Sequence, residues 1–96
     1  MKIIWTEPAL LDAESIKTYI EQDSEIYAIR VIEKIIETLE DLKLYPKMGR
    51  VVPEFRKKDI REIFVYNYRI IYELQGQSIT VLTIIHSARD LGSVNR

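Results

Sequence analysis

The stretch from Arg61 to His86, REIFVYNYRIIYELQGQSITVLTIIH, constrains this chain most, because it alone supplies a continuous sheet. Ile63 to Tyr66, Tyr68 to Leu74 and Ile79 to Ile85 are apolar runs rich in Ile, Val, Tyr and Thr, whose branched or aromatic side chains suit a pleated surface. Asn67 and Gln75-Gly76-Gln77 are the only turn signals between them. Asn and Gly tolerate positive φ, so a short Asn-containing connection and a Gly-containing one of about three residues predict two successive hairpins. The expected unit is a three-stranded antiparallel meander.

Alternation along each strand assigns its faces. In the middle strand Tyr68, Ile70, Tyr72 and Leu74 share one side, and Arg69, Ile71 and Glu73 share the other. One face is therefore core and the other partly wet. In the last strand Ile79, Val81 and Ile85 fall on one side and Leu82 and Ile84 on the other, with no clearly polar face before His86. This predicts an interior strand covered on both sides over much of its length.

The chain before the meander supplies the cover. Lys2 to Trp5 is a short strand candidate, expected at the meander's edge, and Thr6-Glu7-Pro8 ends it. Proline suits a first helical turn and Thr6 or Glu7 can cap, so a helix is expected from there to about Glu21, with Ala9, Ala13, Ile16 and Ile20 on its apolar side. Gln22-Asp23-Ser24 interrupts it, and Asp23 or Ser24 fits as the cap of a second helix. Ala28, Val31, Ile32, Ile35, Leu39 and Leu42 form that helix's stripe until Pro46 stops it and Lys47 to Arg50 turn the chain. Two helices so closely joined should fold back as an αα-hairpin on one face of the sheet. The predicted class is α+β, in the order β-α-α-β-β-β and with a mainly antiparallel sheet, over a single domain of 96 residues.

Composition removes several functional classes. There is no cysteine, which excludes a disulfide framework and a thiolate zinc site, and a single histidine leaves metal binding without a ligand set. No cofactor is expected. Nothing near Met1 resembles a signal peptide, and the apolar runs fall far short of the roughly 20 residues of a membrane span. Gly-rich phosphate loops, nucleophile elbows and paired-carboxylate motifs are missing.

Charge is more informative once divided. Residues 1–46 hold five Lys/Arg against ten Asp/Glu, a net of −5, and residues 47–96 hold nine against five, a net of +4. Lys47, Arg50, Arg56, Lys57, Lys58 and Arg61 crowd one segment beside only Glu54 and Asp59. Such a segment is either a solvated basic loop or a surface for phosphate or an acidic partner.

Arg69 stands out because a long cation in mid-strand is a poor choice for stability alone. It either pairs with Glu73 or a cross-strand carboxylate, or binds an anion on the open sheet face. His86 ends the last strand and Arg89 follows three residues later. If adjacent strands bring Arg69, His86 and Arg89 together, the group suits RNA transesterification, with a base for the 2′-hydroxyl and cations for the phosphorane. One histidine does not readily serve as both acid and base in that step.

IWTEPALLD opening a helix, YPKMGRVVPEF after the second helix, REIFVYNYRIIYEL across a hairpin and VLTIIHSARDL at the end together resemble the RelE/ParE superfamily of type II toxin–antitoxin toxins. The resemblance covers essentially the whole chain. It implies a small cytoplasmic toxin neutralised by a cognate antitoxin that wraps its functional face, in a toxin–antitoxin hetero-oligomer. RelE-type members cleave mRNA in the ribosomal A site and ParE-type members poison DNA gyrase. Arg69 in NYRIIY and Arg89 in HSARDL match arginines of the RelE-type active face, with His86 the remaining candidate in a catalytic set. The Arg56, Lys57, Lys58 and Arg61 segment resembles in character the cations that hold ribosomal RNA and message, and with Lys47 and Arg50 forms the expected target- or antitoxin-binding surface. The tail LGSVNR lacks the tyrosine of the RelE pattern, and the GRVVPE and NYRIIY wording is closer to the ParE branch. A gyrase poison is therefore the favoured expectation. A ribosome-dependent endoribonuclease is the alternative, and a non-toxic interaction domain the second alternative.

Overall fold

The computed structural model describes residues 1–87. Its elements are β1 (Lys2–Trp5), α1 (Glu7–Glu21), α2 (Glu25–Leu44), β2 (Arg50–Val51), β3 (Ile60–Val65), β4 (Tyr68–Gln75) and β5 (Ser78–His86). The strands form one sheet in the order β1-β5-β4-β3-β2, in which β1 runs parallel to β5 and every other pair is antiparallel. The first strand thus sits at the meander's edge and the last strand is interior, as the sequence predicts. A two-residue strand, β2, extends the opposite edge by pairing Arg50 with Glu62 and Val51 with Arg61, an element too short for any periodic signal.

Both helices lie on one face because their apolar stripes have only that surface to cover. Ala9 and Ile20 of α1 and Ala28, Val31, Ile35, Leu39 and Leu42 of α2 meet Val65, Ile70, Tyr72, Ile79, Val81 and Ile84 of the sheet in the main core. Burying each such Ile or Leu is worth about 1.5–3 kcal/mol. Thr6 fixes where α1 begins: its hydroxyl oxygen accepts from the Ala9 N–H at 3.2 Å and donates to the Val81 carbonyl at 2.7 Å. Helix start and central strand are tied at one residue. Ser24 caps α2 by accepting from the Tyr27 N–H at 3.1 Å.

The two hairpins are tighter than their residues suggest. Val65 pairs with Tyr68, which leaves Tyr66-Asn67 as a two-residue turn, and Gln75 pairs with Ser78, which leaves Gly76-Gln77. Gly76 takes positive φ at 58°, but in the first turn Tyr66, not Asn67, takes it, at 52°. A two-residue loop that matches the strands' twist needs positive φ at its first central position, whichever residue stands there.

The faces of β5 also differ from strict alternation. Thr83 pairs with Ile71 and Val81 with Tyr72, so Leu82 is an extra residue in the ladder. Such a bulge shifts every later side chain to the opposite face. Ile84 therefore joins Ile79 and Val81 in the helix-side core, and Ile85 joins Leu82 on the other side. The expected grouping of Ile85 with Ile79 and Val81 is corrected by that one inserted residue.

The face away from the helices is not open throughout. The chain between β2 and β3 folds over it, closed by the Val52 N–H donating to the Ile60 carbonyl at 3.1 Å. Val52, Ile60, Ile71 and Ile85, with Leu82 beside them, make a second small core beneath it.

Candidate functional site

Arg69 lies under this roof, on the face opposite the helices, with its side chain only 8% exposed. Its partner is Glu62, whose side chain is fully buried. Glu62 pairs across the ladder with Ile71, one alternation along from Arg69, so the two side chains meet on a same-face diagonal. The Arg69 Nε donates to Glu62 Oε1 at 2.8 Å and its Nη2 donates to the same oxygen. Glu54, carried by the roof, receives Nη1 at 3.4 Å and Nη2 at 3.5 Å. The second Glu62 oxygen accepts from Arg50 Nε at 2.5 Å. Burial opposes the Arg69 charge, but hydrogen bonds and charge from Glu62 and Glu54 outweigh it and hold the guanidinium above the ordinary arginine pKa. The ion-pair reading of this residue is what the geometry displays, with Glu62 rather than Glu73 as the partner.

His86 occupies the other face. It pairs with Tyr68, and its ring stands edge-on to the Tyr68 ring at 5.7 Å with an interplanar angle of 80°. Both belong to a cleft of about 550 Å³ whose walls include Ile16, Tyr19 and Tyr27 of the helical hairpin. Burial, then the neighbouring Tyr27 and Tyr19, raise the Tyr68 phenol above the ordinary tyrosine value. Arg69 and His86, adjacent in ladder position, are separated by the sheet itself. Arg89, the third member of the expected catalytic set, lies outside the described residues.

The cationic segment divides in two. Arg50 is paired with Glu62, and its guanidinium carbon lies 5.6 Å from the centre of the exposed Phe64 ring. Arg61 reaches backbone carbonyls: Nε donates to Lys58 at 3.1 Å, and Nη1 to Gly49 at 2.9 Å and to Lys47 at 3.4 Å. These neutral acceptors draw Lys47, Lys58 and Arg61 together without cancelling charge. Arg56, in left-handed backbone at φ 55°, and Lys57 project from the roof, exposed beside the exposed Phe55. Among the described residues, none of Lys47, Arg56, Lys57, Lys58 and Arg61 forms a salt bridge.

The loop that carries Lys47 is fixed from beneath by residues that pattern-reading did not single out. The Tyr72 hydroxyl donates to the Pro46 carbonyl at 2.8 Å and accepts from the Gly49 N–H at 3.0 Å. Burial raises the Tyr72 phenol, although the Gly49 hydrogen bond and the nearby Arg61 charge act against it. A Cβ on Gly49 would stand 2.5 Å from the Glu62 carbonyl oxygen and 2.6 Å from the Tyr72 hydroxyl, so only glycine fits there. Glu62 had one legible signal: a two-residue turn at Tyr66-Asn67 places it diagonal to Arg69.

A helical hairpin on one face of a small twisted sheet, with a loop whose cations Lys47, Arg56, Lys57, Lys58 and Arg61 form no salt bridge among the described residues, defines a compact α+β protein. Comparison with known proteins gives it a family. Residues 3–91 match the model of the ParE toxin of the type II toxin–antitoxin system parDE, and the chain belongs to that family. It is 33% identical over 88 residues to Y4kP of Sinorhizobium fredii, covering 90% of this chain and 88% of that one. It is 30% identical over 89 residues to Toxin RelE2 of Caulobacter vibrioides, covering 92% and 97%. A solved structure of the chromosomal ParDE TA system from P. aeruginosa shares the fold at a TM-score of 0.72 and 20% identity, over 90% of this chain and 95% of that one. The protein is a type II toxin of the ParE/RelE family. Among the described residues no helix is long and apolar enough to cross a membrane.

Proposed function

We propose that this toxin acts in the ParE manner, as a cytoplasmic poison of DNA gyrase that holds its target through a binding surface instead of cutting RNA. The observation that carries this reading is the separation of Arg69 from His86 by the sheet, with Arg69 engaged by Glu62 and Glu54. RNA cleavage needs a base and a phosphate-steadying cation within reach of one phosphodiester. A binding poison needs only a firm, charged surface, and Lys47, Arg56, Lys57, Lys58 and Arg61 supply unneutralised charge, with Arg50 stacked on Phe64 beside them. The cognate antitoxin neutralises the toxin by setting acidic and apolar residues against this segment, charge steering the approach and apolar burial supplying most of the affinity.

The test pairs two assays. Purified toxin should trap gyrase on cleaved supercoiled plasmid and leave translated message intact. Normal supercoiling at excess toxin, with message cut in a translating extract and cutting lost in His86→Ala, establishes the endoribonuclease instead. Growth unaffected by induction without antitoxin reduces the protein to an interaction domain.

A further inference from the structure

At the end of the molecule away from His86, the last turn of α2, the Pro46 stop and the Gly76 turn enclose a groove of about 710 Å³. Met1, Leu44, Tyr45, Met48 and Leu74 form its apolar wall, and Lys47 and Asp59 are among its lining residues. Leu44 is 74% exposed and Tyr45 66%, far more than core packing requires of large apolar side chains. Exposed apolar clusters on a small protein mark docking sites, and methionines such as Met1 and Met48 adapt to the shape of what enters.

The backbone beneath is held in place. Tyr72 grips Pro46 and Gly49, and Arg61 grips Lys47 and Gly49, so these side chains are presented on a fixed frame. A frame already ordered costs a partner little further entropy. Charge selects the partner. Lys47 lines the groove, and the Arg61 guanidinium holds the backbone carbonyls of Lys47 and of Lys58, the neighbour of the lining residue Asp59. Among the described residues none of the three cations forms a salt bridge, and Asp59 is the one acid in the lining. Such a margin repels a basic peptide and attracts an acidic one.

We propose that this groove anchors an acidic amphipathic segment of the antitoxin. Large apolar side chains of that segment seat among Leu44, Tyr45, Met48 and Met1, and its carboxylates face Lys47, Lys58 and Arg61. The proposal rests on the antitoxin-binding reading above and specifies where the apolar part of that affinity arises.

Calorimetric titration of the full-length toxin with its full-length cognate antitoxin tests it. Leu44→Ala with Tyr45→Ala should weaken binding on the order of 10- to 100-fold, the range of buried interface anchors. Lys47→Glu with Lys58→Glu should slow association and flatten its salt dependence. Leu11→Ala, on α1 and also exposed but outside the groove, should bind as wild type does. All these side chains are exposed, and thermal melts matching wild type confirm that the variants fold. Wild-type binding together with unchanged affinity in the Leu44/Tyr45 variant overturns the groove and leaves the antitoxin reading standing. Failure of wild type to bind overturns both. A toxin homodimer in sedimentation that the same pair of substitutions dissolves also overturns the proposal, because the groove then belongs to a second copy.

Discussion

Glu62 and Arg69 hold each other in a setting neither tolerates alone. A charge buried without its partner is strongly destabilising, whereas a well-packed apolar replacement of both is often neutral. Glu62→Ala should therefore lower the unfolding free energy by about 3–5 kcal/mol in urea melts. Glu62→Leu combined with Arg69→Met should recover most of that loss. An additive loss in the double variant contradicts the pairing. Gly49 is bound by space, not charge: Gly49→Ala drives a methyl group into the Glu62 carbonyl and the Tyr72 hydroxyl, and overpacking of this kind costs about 1–3 kcal/mol. Urea midpoints measure it directly. Tyr72 adds a pH dependence whose sign follows from its raised phenol. The unfolded chain releases that proton first, near the ordinary value of about 10, so the contribution is complete below it and lost as pH rises through the higher folded value. Ultraviolet titration should show Tyr72 ionising above the ordinary tyrosine value, with stability declining over the same alkaline range. Early ionisation of every tyrosine contradicts the buried hydroxyl.

Elements are joined here by single side chains, which makes some of them more fragile than their length suggests. Thr6→Ala removes the cap of α1 and its hydrogen bond to β5 together, and should cost about 1–2 kcal/mol in thermal or urea unfolding. Asp12 makes a second such link, accepting from the Thr83 hydroxyl at 2.6 Å and the Ile84 N–H at 3.0 Å, beyond the point where β1 ends. The helices and the meander were legible in the sequence because each carries a strong period and a capping or turn residue. Ala28, Val31, Ile35, Leu39 and Leu42 are buried as their spacing requires. The bulge at Leu82 was not legible, since both faces of β5 are apolar and an extra residue leaves no mark in such a pattern. β2 is too short for a period. The site was readable in composition but not in contact: the cationic segment was visible as a charge excess, whereas the pairing of Arg69 depended on a turn assigned to Asn67 alone.

Across the whole molecule, the acidic helical hairpin and the basic second half form a dipole whose positive end carries Lys47, Arg56, Lys57, Lys58 and Arg61, none of which forms a salt bridge among the described residues. Exposed charge of this kind governs encounter, so association with target or antitoxin should weaken as salt rises and the Debye length contracts below about 10 Å. A gyrase poison of the proposed kind carries its toxicity on this surface and not in an Arg69–His86 catalytic pair. The most direct measurement is the yield of gyrase-cleaved plasmid produced by wild type, His86→Ala and Lys57→Glu/Lys58→Glu toxins at equal concentration. Equal cleavage with wild type and His86→Ala, and a fall of on the order of tenfold with the charge reversal, is the predicted result. No cleaved plasmid with any of the three, accompanied by histidine-dependent cutting of translated message, contradicts it.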